Sequence, residues 1–205
     1  MTHDAARRNY DRLSRWYDWF AGSEKRFTEA GLRLLDPQPG ERVLEIGPGI
    51  GHALVRLAQA GTRVVGLDLS AGMLARARRA GKRSGSEADL CQGDAFALPF
   101  PSRTFHAVFL SFTLELFEDA EIPGVLAECA RVLKPVGRLG VVSLAKENTR
   151  PVRLYEWCHR RWPQVVDCRP IHVHAALIAA GFEVREAQRM VMWGLPVEIV
   201  VGQPE

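Results

Sequence analysis

Arg42-Val-Leu-Glu45-Ile46-Gly47-Pro-Gly49-Ile-Gly51-His52 decides the fold. A short apolar run is followed by a glycine-rich loop, then by Leu54, Leu57 and Ala58 at helical spacing up to Gly61. That order reads as strand, loop and helix. Glycines let the backbone turn sharply and approach a ligand without a Cβ in the way. Such a loop belongs at the carboxyl end of a parallel strand, where open α/β sheets bind ligands. Two phosphate-binding readings fail. The nicotinamide fingerprint GxGxxG would need a third glycine at position 52, which is histidine, so the loop is GxGxG. A P-loop would need Gly-Lys-Ser/Thr where the chain has Gly51-His52-Ala53. Glu45, just ahead of the loop, repels phosphate and suits a cationic ligand, which a carboxylate can meet through a charge-assisted hydrogen bond.

The alternation continues outward. Arg63 to Leu67 reads as a second strand ended by Asp68, and Ser70 to Gly81 as a basic helix with Met73, Leu74 and Ala77 on one face. A short strand near Asp89 to Gln92 precedes Gly93-Asp94, and Phe105 to Leu110 is a continuous apolar strand. Residues 113 to 133 read as largely helical, ending at Lys134-Pro135, before a strand over Arg138 to Leu144. Strands alternating with helices predict a parallel sheet covered on both faces. Asp68 stands about 20 residues beyond the loop, where a ribose-binding acid belongs. Asp94, read as ending the third strand, can accept from an adenine amino group. Loop and acids together suit an adenosine that carries an amino acid and no phosphate.

Residues 4 to 36 read as two helices broken at Gly22-Ser23, with Ser23 capping the second. Tyr10, Leu13, Tyr17 and Phe20 share a face of the first. This helix is expected to act as a lid, with Tyr10 or Tyr17 reaching the cofactor. Its rival reading is a core helix with a solvated basic face. Its arginines and tryptophans also raise contact with a membrane surface, which is not the expected reading. Towards the other end, Pro151 can open a helix to about Arg161, and Trp162 to Pro170 reads as a loop. A helix over 172 to 180 stops at Gly181, and Val184 to Val191 with Val197 to Val201 flank Gly194-Leu-Pro196 as an antiparallel hairpin. The expected organisation is a single domain over 1–205. Within it, 1–36 forms an N-terminal helical lid, 37–145 the cofactor-binding core, 146–172 an insertion covering the acceptor, and 173–205 a closing helix and hairpin.

Composition narrows the classes. The 205 residues are 47% apolar and 25% charged, which excludes a disordered or fibrous chain. A net charge of +3 gives no reason to expect nucleic acid as a partner. No apolar run reaches the roughly 18 residues that span a bilayer, and the first ten residues lack the apolar core of a signal peptide. Cys91, Cys129, Cys158 and Cys168 form no CxxC pair, and a reducing cytoplasm is expected. Cys158, His159, Cys168, His172 and His174 could bind zinc chemically, but at no usual spacing, so no metal is expected.

Four segments in register carry a resemblance. Glu45-Ile-Gly-Pro-Gly-Ile-Gly51, Val65-Gly-Leu-Asp68-Leu-Ser-Ala-Gly-Met73, Gly93-Asp94-Ala-Phe-Ala-Leu-Pro-Phe100 and Arg131-Val-Leu-Lys-Pro-Val-Gly137 resemble successive motifs of class I S-adenosylmethionine-dependent methyltransferases, over about residues 41 to 145. Leu98-Pro-Phe-Pro-Ser-Arg-Thr-Phe105 and the Tyr10-to-Tyr17 opening are most similar to the ubiquinone/menaquinone C-methyltransferase group. The resemblance implies a Rossmann-like three-layer α/β sandwich whose seven-stranded, mostly parallel sheet has an antiparallel last strand. It implies S-adenosylmethionine as cofactor. Gly47, Gly49 and Gly51 would line its methionine portion, and Asp68 would hold the ribose. Leu69 and Met73 would lie beside the adenine, Asp94 and Ala95 at its edge, and Ser111 would floor the site. There are departures. His106 replaces the usual aspartate in the Phe-Asp-x-Val strand, near its amino end and away from the site, so no catalytic role is expected for it. Glu115 stands where relatives often carry histidine. Ser111-Phe-Thr-Leu114 replaces Asn/Asp-Pro-Pro-Tyr, which counts against methylation of DNA-base amines.

A sulfonium methyl is already activated, so alignment of a nucleophile about 3 Å away can supply much of the rate. A carbon acceptor would also need a base, and Glu115, His159 and His172 are the candidates. The expected partner is a small-molecule or lipid-like methyl acceptor, between the N-terminal helix and the insertion bearing Tyr155 and Trp157. Oligomeric state leaves no mark on the sequence. The rival from another class is a non-catalytic sensor or scaffold that binds S-adenosylmethionine.

Overall fold

A computed structural model describes the backbone of residues 14–162 and 168–205, and side chains from Ser23 onward. Its elements are α1 (Ser14–Leu35), β1 (Arg42–Ile46), α2 (His52–Gln59), β2 (Arg63–Asp68), α3 (Ala71–Ser84), β3 (Asp89–Gln92), β4 (Phe105–Ser111), a 3-10 turn (Leu114–Leu116), α4 (Ile122–Val132), β5 (Leu133–Leu144), α5 (Arg150–Arg161), α6 (Val173–Ala179), β6 (Phe182–Met192) and β7 (Leu195–Pro204). The strands form one seven-stranded sheet in the order β3-β2-β1-β4-β5-β7-β6. The first five are mutually parallel, and β7 runs antiparallel to both β5 and β6. This is the Rossmann-like sheet with an antiparallel last strand that the motifs imply.

Strands buried on both faces read as near-continuous apolar runs, and Phe105 to Ser111 is such a run. One face packs Phe27, Leu35, Leu57 and Val152 of α1, α2 and α5 against Val43 and Phe109. The other packs Leu126 of α4 and Leu177 of α6 against Leu44, Leu110 and Val141. Two helical layers therefore enclose the sheet. Among the described residues, no helix is long and apolar enough to cross a membrane.

Five local expectations need correction. Among the described residues there is no break at Gly22-Ser23: α1 runs unbroken from Ser14 to Leu35. Tertiary packing outweighs the ~1 kcal/mol penalty of a helical glycine, with Phe27, Ala30 and Leu35 buried on the sheet. Gly31 has a positive use here. A Cβ on it would lie 2.4 Å from Val142 Cγ2, so only glycine lets α1 lie this close to β5. Residues 113 to 133 are not one helix either. They hold the 3-10 turn and then α4, with Pro123 in its first turn. β5 begins at Leu133, passes through Lys134-Pro135, and reaches Leu144 by way of a register shift opposite Phe105 to Ala107. β3 ends at Gln92, which leaves Asp94 in the turn beyond it. The hairpin turn is Trp193-Gly194, with φ of +51° and +82°, so Leu195 and Pro196 belong to β7. Positive φ at both central residues matches the twist of tight hairpins.

Candidate functional site

The glycine loop leaves the buried end of β1 with Gly47, Gly49 and Gly51 at φ of +71°, +51° and +84°. Left-handed backbone is costly for any residue with a Cβ. Space forbids side chains as well: a Cβ at Gly47 would lie 2.5 Å from Thr113 Oγ1, and at Gly51 2.9 Å from Ala77 Cα. The loop is thus pressed between the segment after β4 and helix α3. The Gly47 amide donates to Leu67 O at 2.8 Å and the Gly51 amide to Pro48 O at 2.7 Å, fixing its path before α2 begins at His52. In front of it opens a cleft bounded by Glu45, Gly47, Gly49, Ser111 and, from α1, Glu24 and Thr28.

Glu45 points into this cleft while only 3% exposed. Its Oε2 has no hydrogen-bond partner among the described residues. A buried carboxylate without a partner is expensive, and burial, reinforced by the charge of Asp68, pushes its pKa up to about 8. Such a group fits a cation delivered by a ligand. Asp68 closes β2, with Oδ1 accepting from the Ser70 amide at 2.8 Å. Burial pushes Asp68 up to about 6, against the pull of the Ser70 and Leu69 amides. Ser70 in turn caps α3, its Oγ accepting from the Met73 amide at 3.3 Å. Met73 is buried, and the Leu69 carbonyl accepts from Gln92 Nε2 at 3.0 Å.

Asp94 folds its own turn, Oδ1 accepting from the Phe96 amide at 3.0 Å. Ala95 sits with its side chain in the core, so only its backbone is left to meet a ligand. Arg131 stabilises the segment after Asp94: its guanidinium donates to the Leu98 and Phe100 carbonyls at 3.0 and 2.8 Å, and Glu128 holds both Arg131 and the Leu98 amide. Ser111 ends β4, and its hydroxyl lies 2.8 Å from that of Thr28, which ties the floor of the cleft to α1. Tyr10 lies outside the described residues, as does the side chain of Tyr17.

The three base candidates are not gathered into one cluster. Glu115 is fully buried where β4 and β5 end, with Oε2 accepting from the Leu144 amide at 3.0 Å. Burial pushes it up to about 8, opposed by Ser143, Leu144 and Cys168. His159 is half-buried in the last turn of α5, and His172 is exposed just before α6. His106 is a latch at the other end of the sheet, its Nδ1 accepting from the Arg42 amide at 2.9 Å and its Nε2 2.8 Å from Lys134 Nζ. Sequence reasoning missed Thr113 beneath Gly47. It also missed the group in which Glu29 of α1 lies 3.1 Å from His52 and 2.9 Å from Arg56. Glu29 and Arg56 are far apart in the chain, so no local spacing marks the pair. Burial holds the His52 pKa below the ordinary histidine value.

Strand order, glycine loop and acids beyond successive strands define the class I methyltransferase architecture. Comparison with known proteins agrees. A family described as a methyltransferase domain matches residues 43–137. A demethylmenaquinone methyltransferase of Parafrankia sp. is 34% identical over 179 residues, covering 76% of this chain and 70% of that protein. A second, from Corynebacterium kroppenstedtii, is 37% identical over 143 residues, covering 67% of this chain and 59% of that protein. The chain spans about three fifths of the length of the first curated relatives it matches. Magnesium protoporphyrin IX methyltransferase of Synechocystis, solved with bound SAH, shares the fold at a TM-score of 0.73 and 17% identity, covering 89% of this chain and 84% of that one. The chain belongs to the class I S-adenosylmethionine-dependent methyltransferases, close to their menaquinone group.

Proposed function

We propose that this chain transfers a methyl group from S-adenosylmethionine to a small, quinone-like acceptor. The observation that carries the reading is Glu45, a buried carboxylate with an unpartnered oxygen facing the glycine-loop cleft. It fits the ammonium of an amino-acid portion and would oppose a pyrophosphate. The names of the relatives, demethylmenaquinone methyltransferases, support a quinone-class acceptor.

In this reading Glu45 balances the ammonium, and the glycine loop lets backbone amides approach the methionine portion. Asp68 accepts from the ribose hydroxyls, and Asp94 with the Ala95 backbone meets the adenine edge. Leu69 and Met73 flank the ring, Ser111 floors the site, and Tyr10 and Tyr17 close over it from the lid. Bound there, S-adenosylmethionine supplies an electrophilic methyl on its sulfonium. The acceptor lies between the 1–36 lid and the 146–172 insertion, beyond the ends of β4 and β5. Glu115 is the first candidate for taking a hydroxyl proton from a quinol: burial pushes it up to about 8, so the fraction that acts is its carboxylate form, which grows as pH rises towards 8. His159 and His172 are the alternatives. All four cysteines are free thiols, which suits the cytoplasm that this reading assigns.

The test is incubation of the chain with isotope-labelled methyl donor and a reduced demethylated naphthoquinone, followed by mass spectrometry. A labelled, ring-methylated product is expected. Donor binding with no methylated product would leave the sensor reading instead.

A further inference from the structure

We propose that the solvent face of α5, together with the adjoining tip of the β6–β7 hairpin, is a docking surface for an anionic lipid bilayer. α5 keeps one side against the protein through buried Val152, with Tyr155, Glu156 and His159 half-buried beside it. On the opposite side, at spacings of three and four, stand Arg150, Arg153, Leu154, Trp157, Arg160 and Arg161. Leu154 is 62% exposed, Trp157 51% and Trp162, just past the helix, 48%. The Trp157 and Trp162 rings meet edge to face at 5.6 Å, and the Arg161 guanidinium lies 5.7 Å from the Trp162 ring. Trp193 at the hairpin tip is 56% exposed. The tip abuts the start of α5, since a Cβ on Gly194 would lie 4.0 Å from Pro151 Cγ.

Single exposed apolar residues are ordinary on a protein surface. Here Leu154 and Trp157 on the helix and Trp162 just past its end stand among four arginines, and the helix's one acid, Glu156, lies on the inward side. That mixture selects the occupant. A second copy of this chain would bring the same positive face and be repelled. An apolar groove on another protein would accept the tryptophans and leave the guanidiniums to find partners. A layer of anionic headgroups takes both: arginines pair with phosphates, and tryptophan rings settle at the headgroup level. The helix lies in the interface rather than through it. This surface is distinct from the N-terminal helix and does not depend on which acceptor is methylated.

The full chain is sedimented with vesicles of phosphatidylcholine alone and of phosphatidylcholine mixed with phosphatidylglycerol. Retention by the anionic vesicles only is expected, falling as salt rises. The pairs Trp157→Ala with Trp162→Ala, and Arg153→Gln with Arg160→Gln, should each weaken partitioning by roughly tenfold or more. Their thermal midpoints should stay near wild type, because the side chains are exposed. Absence of binding to anionic vesicles, or wild-type binding by both variants, would overturn the proposal. So would a dimer in light scattering that Trp157→Ala disperses, which would assign the face to self-association.

Discussion

Glu45 pairs in register with Gly66, so that Asp68 lies just beyond it at the end of the neighbouring parallel strand. The negative charge of Asp68 adds to burial in holding a proton on Glu45, whose pKa is pushed up to about 8. Asp68, pushed only to about 6, has largely lost its own proton at neutral pH. A ligand ammonium beside Glu45 favours the carboxylate, so binding should expel that proton. Calorimetry of S-adenosylmethionine binding near pH 7, in buffers of different ionisation enthalpy, should show net proton release. Affinity should rise as pH rises towards 8. Glu45→Gln should lose the release and bind about tenfold to a hundredfold more weakly, the scale of one charge-assisted hydrogen bond. An unchanged proton count in the variant would place the ammonium elsewhere.

Asp68→Ala should weaken S-adenosylmethionine binding by about 1.5 to 3 kcal/mol, the scale of losing charge-assisted bonds to ribose hydroxyls. A titration in which the variant matches wild type would mean that the ribose does not lie at the end of β2.

Gly51 and Gly85 both adopt positive φ, but a Cβ at Gly51 meets Ala77 Cα at 2.9 Å whereas one at Gly85 meets nothing within 4 Å. Gly85→Ala should cost about 1 kcal/mol of backbone strain. Gly51→Ala carries that strain and overpacking besides, for a total of about 2 to 4 kcal/mol. Chemical denaturation of the two variants checks the order, and equal losses would show that the loop yields freely away from α3.

Glu115 is a buried acid whose pKa rises on folding to about 8, chiefly through burial. The folded chain therefore binds more protons than the unfolded chain between about pH 4.5 and 8, and stability falls as pH rises through that window. Glu45 acts in the same direction. In ligand-free protein, Glu115→Gln should flatten the decline of the thermal midpoint between pH 5 and 8 and be more stable than wild type at the upper end. A variant with the wild-type slope would show that Glu115 is not the buried proton carrier.

The parts of this fold that follow local rules were legible in the sequence. The run from Arg42 to Gly61 announced its strand, loop and helix, because glycines at positive φ and apolar residues at helical spacing are local requirements. Asp68 and Asp94 stand out as candidates because one ends a strand and the other lies just past one. What escaped notice depends on distant contacts. Gly22-Ser23 reads as a break, yet α1 is held on the sheet by Phe27 and by a Gly31 that lets Val142 approach. Lys134-Pro135 reads as a stop, yet lies within β5. One local signal was overlooked: Pro123 marks the first turn of α4 and could have ended the long helix read over 113 to 133. The place of Glu115 in a buried contact with Leu144 rests on two strand ends meeting, which no spacing shows.

The most direct test of the site is a calorimetric titration of the purified chain with S-adenosylmethionine and, separately, with NADH. Glu45 facing a GxGxG loop predicts saturable binding of S-adenosylmethionine, with no detectable heat of binding from NADH at the same concentrations. Tighter binding of NADH would contradict the account.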